Sequence, residues 1–191
     1  MELRPEEQKL LEAIEEAESI RQISLEEAEQ QVKAGLVSFL GLELERRPFF
    51  DNRFSIMVPI TFNTVVPSIP SPQLPEVILS DPLSSVTIML DYGKTAYQNN
   101  DVGQSLSQIK TMLKKMNPAS RFYKDGVFSL DGKRVEYLEF FNSSEDGEAF
   151  NDYFQMSVQG KALYCYFYCA TDIARKWRNI FWAITKSAQF K

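Results

Sequence analysis

Hydrophobic and polar positions change period several times along this chain, and the changes divide it into elements. Near the start, Leu3, Leu10, Ile14 and Ala17 recur at helical spacing while Glu12, Glu15 and Glu16 lie off that stripe, which predicts an amphipathic helix. Ser24-Leu25-Glu26-Glu27 predicts the start of a second helix through a capping box. In it the Ser24 hydroxyl accepts the Glu27 N–H and the Glu27 side chain reaches back. Gly35 is the expected stop. The period then shortens toward two: GLELERRPFF and RFSIMVPITF read as strands, with Pro59 demoting the second to an edge or a bulge. NTVVPSIPSPQLPEVILSDP (63–82) holds five of the nine prolines and has no period, so it reads as a loop. SVTIMLDY (85–92) alternates as a strand. A helix is expected from Val102 to Met116, with Leu106, Ile109, Leu113 and Met116 on one face and Pro118 just beyond.

The remainder reads as two hairpins and a helix. VFSL and KRVEYLEFF flank Asp131-Gly132, a pair that accepts the positive φ angles of a type I′ turn. Phe150–Val158 and Leu163–Cys169 flank Gln159-Gly160. Thr171 or Asp172 is the expected cap of the last helix. Its core stripe is Ile173, Trp177, Ile180, Ile184 and Ala188. Trp182 lies nearly opposite, beside Arg175, Arg178 and Lys186. Tryptophan with arginine is the composition enriched in binding hot spots, so these four residues form the candidate partner-binding set. Cover of Trp182 by the N-terminal arm and simple solitary exposure are the competing accounts.

Charge sharpens the division. Residues 1–30 carry ten Glu and three Lys or Arg, a local −7 in a chain of net −5, so the other 161 residues stand at +2. An acidic helical arm (1–35) on a near-neutral body (36–191) is the expected organisation. At 44% hydrophobic and 25% charged residues, the chain suits a globular protein. The negative charge removes a general electrostatic case for nucleic acid. No apolar run approaches the roughly 18 residues that span a bilayer, and the opening lacks the apolar stretch of a signal peptide, so no membrane is expected and the expected location is cytoplasmic. The chain has no histidine, which excludes Ser-His-Asp and Cys-His hydrolysis and histidine metal ligation.

Three stretches carry chemistry-bearing residues. In an extended LYCYFYC, Cys165 and Cys169 point to one face, on the order of 13 Å apart, too far for a disulfide or a shared metal. They read as small core hydrophobes. Gly93-Lys94-Thr95 lacks the glycine five positions earlier that a phosphate loop needs, since Ile88 stands there. Asn142–Asp152 clusters Glu145, Asp146, Glu148 and Asp152, but without the alternate ligand spacing of a calcium loop, and reads as a solvated hairpin loop. No cofactor and no metal is expected.

Taken in order, RFSIMVP (53–59), GKRVEYLEFF (132–141), AFNDYFQMSVQGKALYCYFYC (149–169) and ARKWRNIFWAITKS, the last through Trp177, Ile180, Ile184 and Ser187, resemble the PsbP-like family. That family's fold is shared with the Ran-binding protein Mog and with DcrB. The likeness covers about residues 42–191. It implies an α+β fold: an antiparallel sheet sandwiched by helices, here preceded by the acidic arm. It also implies a non-enzymatic protein-binding or assembly factor with an unidentified protein partner. Exchange of the arm between copies would give a homo-oligomer. The alternative reading is an enzyme using Tyr, Lys or carboxylate chemistry in a cleft near the Pro-rich loop 63–84.

Overall fold

The computed structural model describes residues 23–67, 74–81, 83, 85–93, 102–144 and 147–191. The expected first arm helix with Leu3, Leu10 and Ile14 lies outside the described residues, as do Lys94, Thr95, Glu145, Asp146 and residues 68–73.

Helix α1 (Leu25–Ala34) begins and ends as expected. The Ser24 hydroxyl accepts the Glu27 N–H at 3.1 Å, and Gly35 closes the helix at φ +81°. Only half of the capping box forms, because the Glu27 carboxylate accepts instead from the Gln31 amide one turn on, at 3.0 Å.

A four-stranded antiparallel sheet follows in the order β1-β2-β3-β11, from β1 (Leu36–Val37), β2 (Leu42–Phe49), β3 (Phe54–Pro59) and β11 (Gln189–Phe190). β3 is therefore not the edge that Pro59 suggested. The proline is tolerated because it is the last residue of β3, beyond Phe54 and Ser55 where β11 pairs.

The larger sheet is antiparallel throughout, in the order β4-β5-β6-β10-β9-β8-β7. Its strands are β4 (Asn63–Thr64), β5 (Val77–Asp81), β6 (Val86–Tyr92), β7 (Arg121–Leu130), β8 (Lys133–Ser144), β9 (Gly147–Val158) and β10 (Lys161–Ala170). Both hairpins turn where the sequence indicated, with positive φ at Asp131, Gly132, Gln159 and Gly160. β4 and β5 correct the reading of 63–82 as loop. Val77-Ile78-Leu79 is too short to show a period, and what makes it a strand is its neighbour β6, with Leu79 opposite Ile88.

Helix α2 (Val102–Met116) covers one face of this sheet through Leu106, packed with Leu138 and Phe140. Helix α3 (Thr171–Lys186) covers the other, giving the helix–sheet–helix sandwich. Its N-cap is Ala170 rather than Thr171 or Asp172: the Thr171 hydroxyl is drawn away to the Glu148 carbonyl at 2.7 Å. α3 buries two adjacent stripes, not one. Trp177, Ile180 and Ile184 are buried as expected, with Trp177 beside Phe62 at 6.1 Å between ring centroids. Ala174, Phe181 and Thr185 are buried as well, and Phe181 stacks on Phe167 of β10 at 4.9 Å. α1 lies along α3: Lys186 pairs with Glu29 at 2.5 Å, and the Asn179 amide donates to the Ile23 carbonyl at 2.8 Å. Ile23, Ala28 and Val32 belong to the same hydrophobic core as the sheet.

Cys165 and Cys169 are free, buried and on the α3 side of β10, and burial pushes both thiols up to about 12. No helix among the described residues is long and apolar enough to cross a membrane.

Candidate functional site

Of the set Trp182, Arg175, Arg178 and Lys186, only Trp182 and Arg178 converge, on Glu139 of β8. Lys186 is engaged by Glu29, and Arg175 is exposed with no partner among the described residues. Trp182 is covered, and among the described residues the sheet supplies the aromatic contacts that cover it. Its ring meets Tyr137 at 4.6 Å edge-on, Phe154 at 5.2 Å and Phe128 at 5.2 Å. Its Nε1–H donates to Glu139 Oε1 at 2.7 Å. Arg178 adds its Nε at 3.0 and 3.1 Å and its Nη2 at 2.8 Å to the same carboxylate. The buried Glu139 thus receives a guanidinium fork and an indole N–H, the donors an ionised carboxylate needs away from water. Outside this cluster the guanidinium lies over the exposed Tyr123 ring at 5.2 Å.

Asp152 of β9 stands directly opposite Glu139 of β8 in the ladder. It is fully buried, and neither carboxyl oxygen has a hydrogen-bond partner among the described residues. Burial, and secondarily the Glu139 charge, hold its carboxyl well above the usual range, against the weaker pull of Arg178 and Lys124. The shift favours the neutral acid, the form in which one guanidinium faces one carboxylate. This corrects the reading of Asp152 as part of a solvated loop. Of that cluster, Glu148 does lie near the surface, paired with Arg121. A carboxylic acid beside a carboxylate is an arrangement used for proton transfer, but here both are sealed at 0% exposure, so no substrate touches either. Among the described residues no three Asp, Glu or Cys side chains gather as a metal ion would require.

Sequence reasoning missed this pair, although a signal was present. Val135, Tyr137 and Phe141 share a face with Glu139, and Phe150, Phe154 and Met156 share one with Asp152, so each acid interrupts an apolar alternation.

The opposite sheet face is more open. Beyond the end of α2, Thr87 and Met89 of β6, Tyr166 and Tyr168 of β10, Asn151 of β9 and Asn142 of β8 line a groove of about 450 Å³, with Asn117 at its rim. The strand alternation that turns both cysteines into the core turns these tyrosines outward. Tyr166 donates to the Asn151 side-chain oxygen, whose amide donates to the Phe140 and Ala149 carbonyls at 3.3 and 3.1 Å. Burial, then Tyr168, raises the Tyr166 phenol, which keeps it a donor. The Asn142 oxygen accepts from Ser120 at 2.6 Å. The Asn142 amide N–H₂ and the Tyr168 hydroxyl have no partner among the described residues, and Tyr168 is 39% exposed. The groove is lined entirely by neutral side chains. It therefore offers aromatic surface and spare donors without a charged group, and its one shifted group, the Tyr166 phenol, is moved further from neutral pH rather than toward it.

Neither a protein-family model nor a curated protein matches the sequence. Solved structures do match. The cyanobacterial PsbP protein, CyanoP, of Synechocystis sp. PCC 6803 aligns at a TM-score of 0.62 with 15% identity, over 78% of this chain and 92% of that one. LpqN, involved in cell envelope biogenesis of Mycobacterium tuberculosis, aligns at 0.54 with 14% identity, over 78% and 91%. The Saccharomyces cerevisiae Ran-binding protein Mog1p aligns at 0.52 with 5% identity, over 78% and 96%. At these identities the likeness establishes the fold, and the chain has the PsbP-like α+β fold.

Proposed function

We propose that this PsbP-like protein is a non-enzymatic protein-binding or assembly factor, and that it takes its partner in the tyrosine–asparagine groove of the large sheet. The observation that carries the reading is the pair of unspent donors, the Tyr168 hydroxyl and the Asn142 amide, on a neutral aromatic face. Rigid tyrosines with adaptable amide groups provide contact area at low entropic cost, and spare donors suit the carbonyls of a neutral polypeptide segment. The fold supports the binding class, since one protein that shares it, Mog1p, is a Ran-binding protein. The enzyme alternative near residues 63–84 needs an accessible group with altered acidity, whereas the strongly shifted carboxyl, Asp152, is sealed under α3. A cytoplasmic location is no part of the proposal, because LpqN, another protein with this fold, works in cell envelope biogenesis.

The test is comparative affinity capture from the source lysate with the wild-type chain, Tyr168→Ala and Asn142→Leu, each first checked for unchanged far-ultraviolet circular dichroism. The expected result is a protein recovered with the wild type and depleted at least about tenfold with both variants, the loss of roughly 1.4 kcal/mol or more. Partners retained equally by all three chains would remove the groove from the interface.

A further inference from the structure

Strand β7 (Arg121–Leu130) closes the large sheet, and no strand among the described residues pairs with its outer side. The strands at the other three sheet edges, β1, β4 and β11, each run only two residues. β2, whose outer side extends beyond β1, is guarded by Glu45, Arg46, Arg47 and Pro48. β7 is guarded only in its first half, by the bulge between Phe122 and Lys124 and by Lys124 and Asp125. Gly126–Leu130 carries neither a charge nor a proline.

The register shows which backbone groups are open. The two-residue turn Asp131-Gly132 makes Leu130–Lys133 a hydrogen-bonded pair, and the pairs at Phe128–Val135 and Gly126–Tyr137 follow by alternation. The N–H and C=O groups of the intervening Asp125, Val127 and Ser129 therefore point away from β8. All three residues are exposed, Val127 at 43%.

We infer that the β7 edge joins the β7 edge of a second copy of this chain, antiparallel, about a twofold axis at Val127. A twofold interface must be complementary to itself, and this stretch is. Val127 meets its own copy, Asp125 meets Ser129 of the other chain as carboxylate to hydroxyl, and Gly126 meets Phe128, so no like charges are opposed. Centring the axis on Asp125 instead would set that carboxylate against itself. The three open residues on each chain supply six backbone hydrogen bonds. Helix α2 reaches this edge through Lys110, whose Nζ pairs with Asp125 Oδ1 at 2.6 Å, two residues from the axis. The two symmetric Lys110–Asp125 pairs are then on the order of 13 Å apart along the strands, and because each pair is internally neutral they repel little.

The experiment is sedimentation velocity on the full chain across about 1–300 μM. The expected species has twice the 22.0 kDa monomer mass. Val127→Pro removes an outward N–H but no bond to β8, and should yield a folded monomer. Ser129→Asp opposes two carboxylates at each of two symmetric places and should weaken dimerisation on the order of tenfold, while Ser129→Lys strengthens it. Val127→Cys with a short bis-maleimide should give a covalent dimer, read cleanly because Cys165 and Cys169 are buried. If Val127→Pro fails to fold, the Ser129 pair and the cross-link still decide. A wild-type monomer over the whole range overturns the inference, as does a dimer indifferent to Ser129→Asp and Ser129→Lys.

Discussion

Replacing Arg178 with Met should destabilise the fold far more than replacing its partner Glu139 with Gln. The Arg178 side chain is 29% exposed and the Glu139 side chain 0%. Met keeps the aliphatic packing under Tyr123 but leaves the Glu139 carboxylate buried with one donor, the Trp182 indole at 2.7 Å. Stranding a buried charge costs about 3–5 kcal/mol, and the surviving indole bond places this case near ~3 kcal/mol. For a chain of this size that lowers the melting temperature by about 6–12 °C. Glu139→Gln removes the charge itself. The partly exposed guanidinium can then turn to water, and Asp152 loses the neighbouring charge that opposes its ionisation, so the cost should stay under about 1.5 kcal/mol. The double variant should recover at least about 1 kcal/mol relative to Arg178→Met, because no orphaned charge remains. Urea unfolding followed by circular dichroism at 222 nm, with all four chains at pH 7, measures these differences. Equal costs for the two single variants, or a double variant no better than Arg178→Met, would refute the reasoning.

Asp152→Asn should raise the melting temperature at pH 7–8 and leave it unchanged near pH 4. A carboxyl raised above its ordinary value of 3.8 contributes fully to stability below that pH and loses its contribution as the pH climbs through the folded value, a loss asparagine cannot show; scanning calorimetry across pH reads the difference. Trp182→Phe keeps an aromatic ring against Phe128, Tyr137 and Phe154 but removes the donor to a buried carboxylate, and should cost about 1.5–3 kcal/mol in urea unfolding. In a Trp177→Phe background, deleting residues 1–22 should leave Trp182 emission unshifted, since the sheet covers that ring. Cys165 and Cys169 should resist a colourimetric disulfide reagent in the native protein and react promptly in guanidinium, because burial pushes both thiols up to about 12.

The local signals in the sequence reached the elements that local physics decides. The Ser24 cap, the Gly35 stop, the Asp131-Gly132 turn and the face of β10 that carries Cys165 and Cys169 each depend on a few adjacent residues, and each stands where the pattern placed it. The resemblance across the second half was enough for the α+β class, because the order of strands and the closing helix sets how the layers stack. What failed was decided by neighbours distant in sequence. Val77–Asp81 became a strand because β6 lay beside it, and β3 became internal because Phe190, at the far end of the chain, returned to pair with Phe54.

Trp182 shows the same division at the level of a side chain. On a helical wheel it sits with the charged residues, and composition alone presents it as an exposed anchor. The larger sheet curls under α3 so that Phe128, Tyr137, Phe154 and Glu139 meet a second stripe of the helix, and the indole turns inward to a carboxylate 43 residues away. The open groove is also tertiary, since its residues come from β6, β8, β9, β10 and Asn117, and only the strand order makes them adjacent. The sequence by itself determined periods, caps, turns and the inward alternation of each strand, all of which depend on neighbours a few residues away. Which inward acid meets which guanidinium, which aromatic is covered and which strand edge is left open depend on contacts closed only when the two sheets and α3 pack together. Those contacts have no signature in any single stretch of chain.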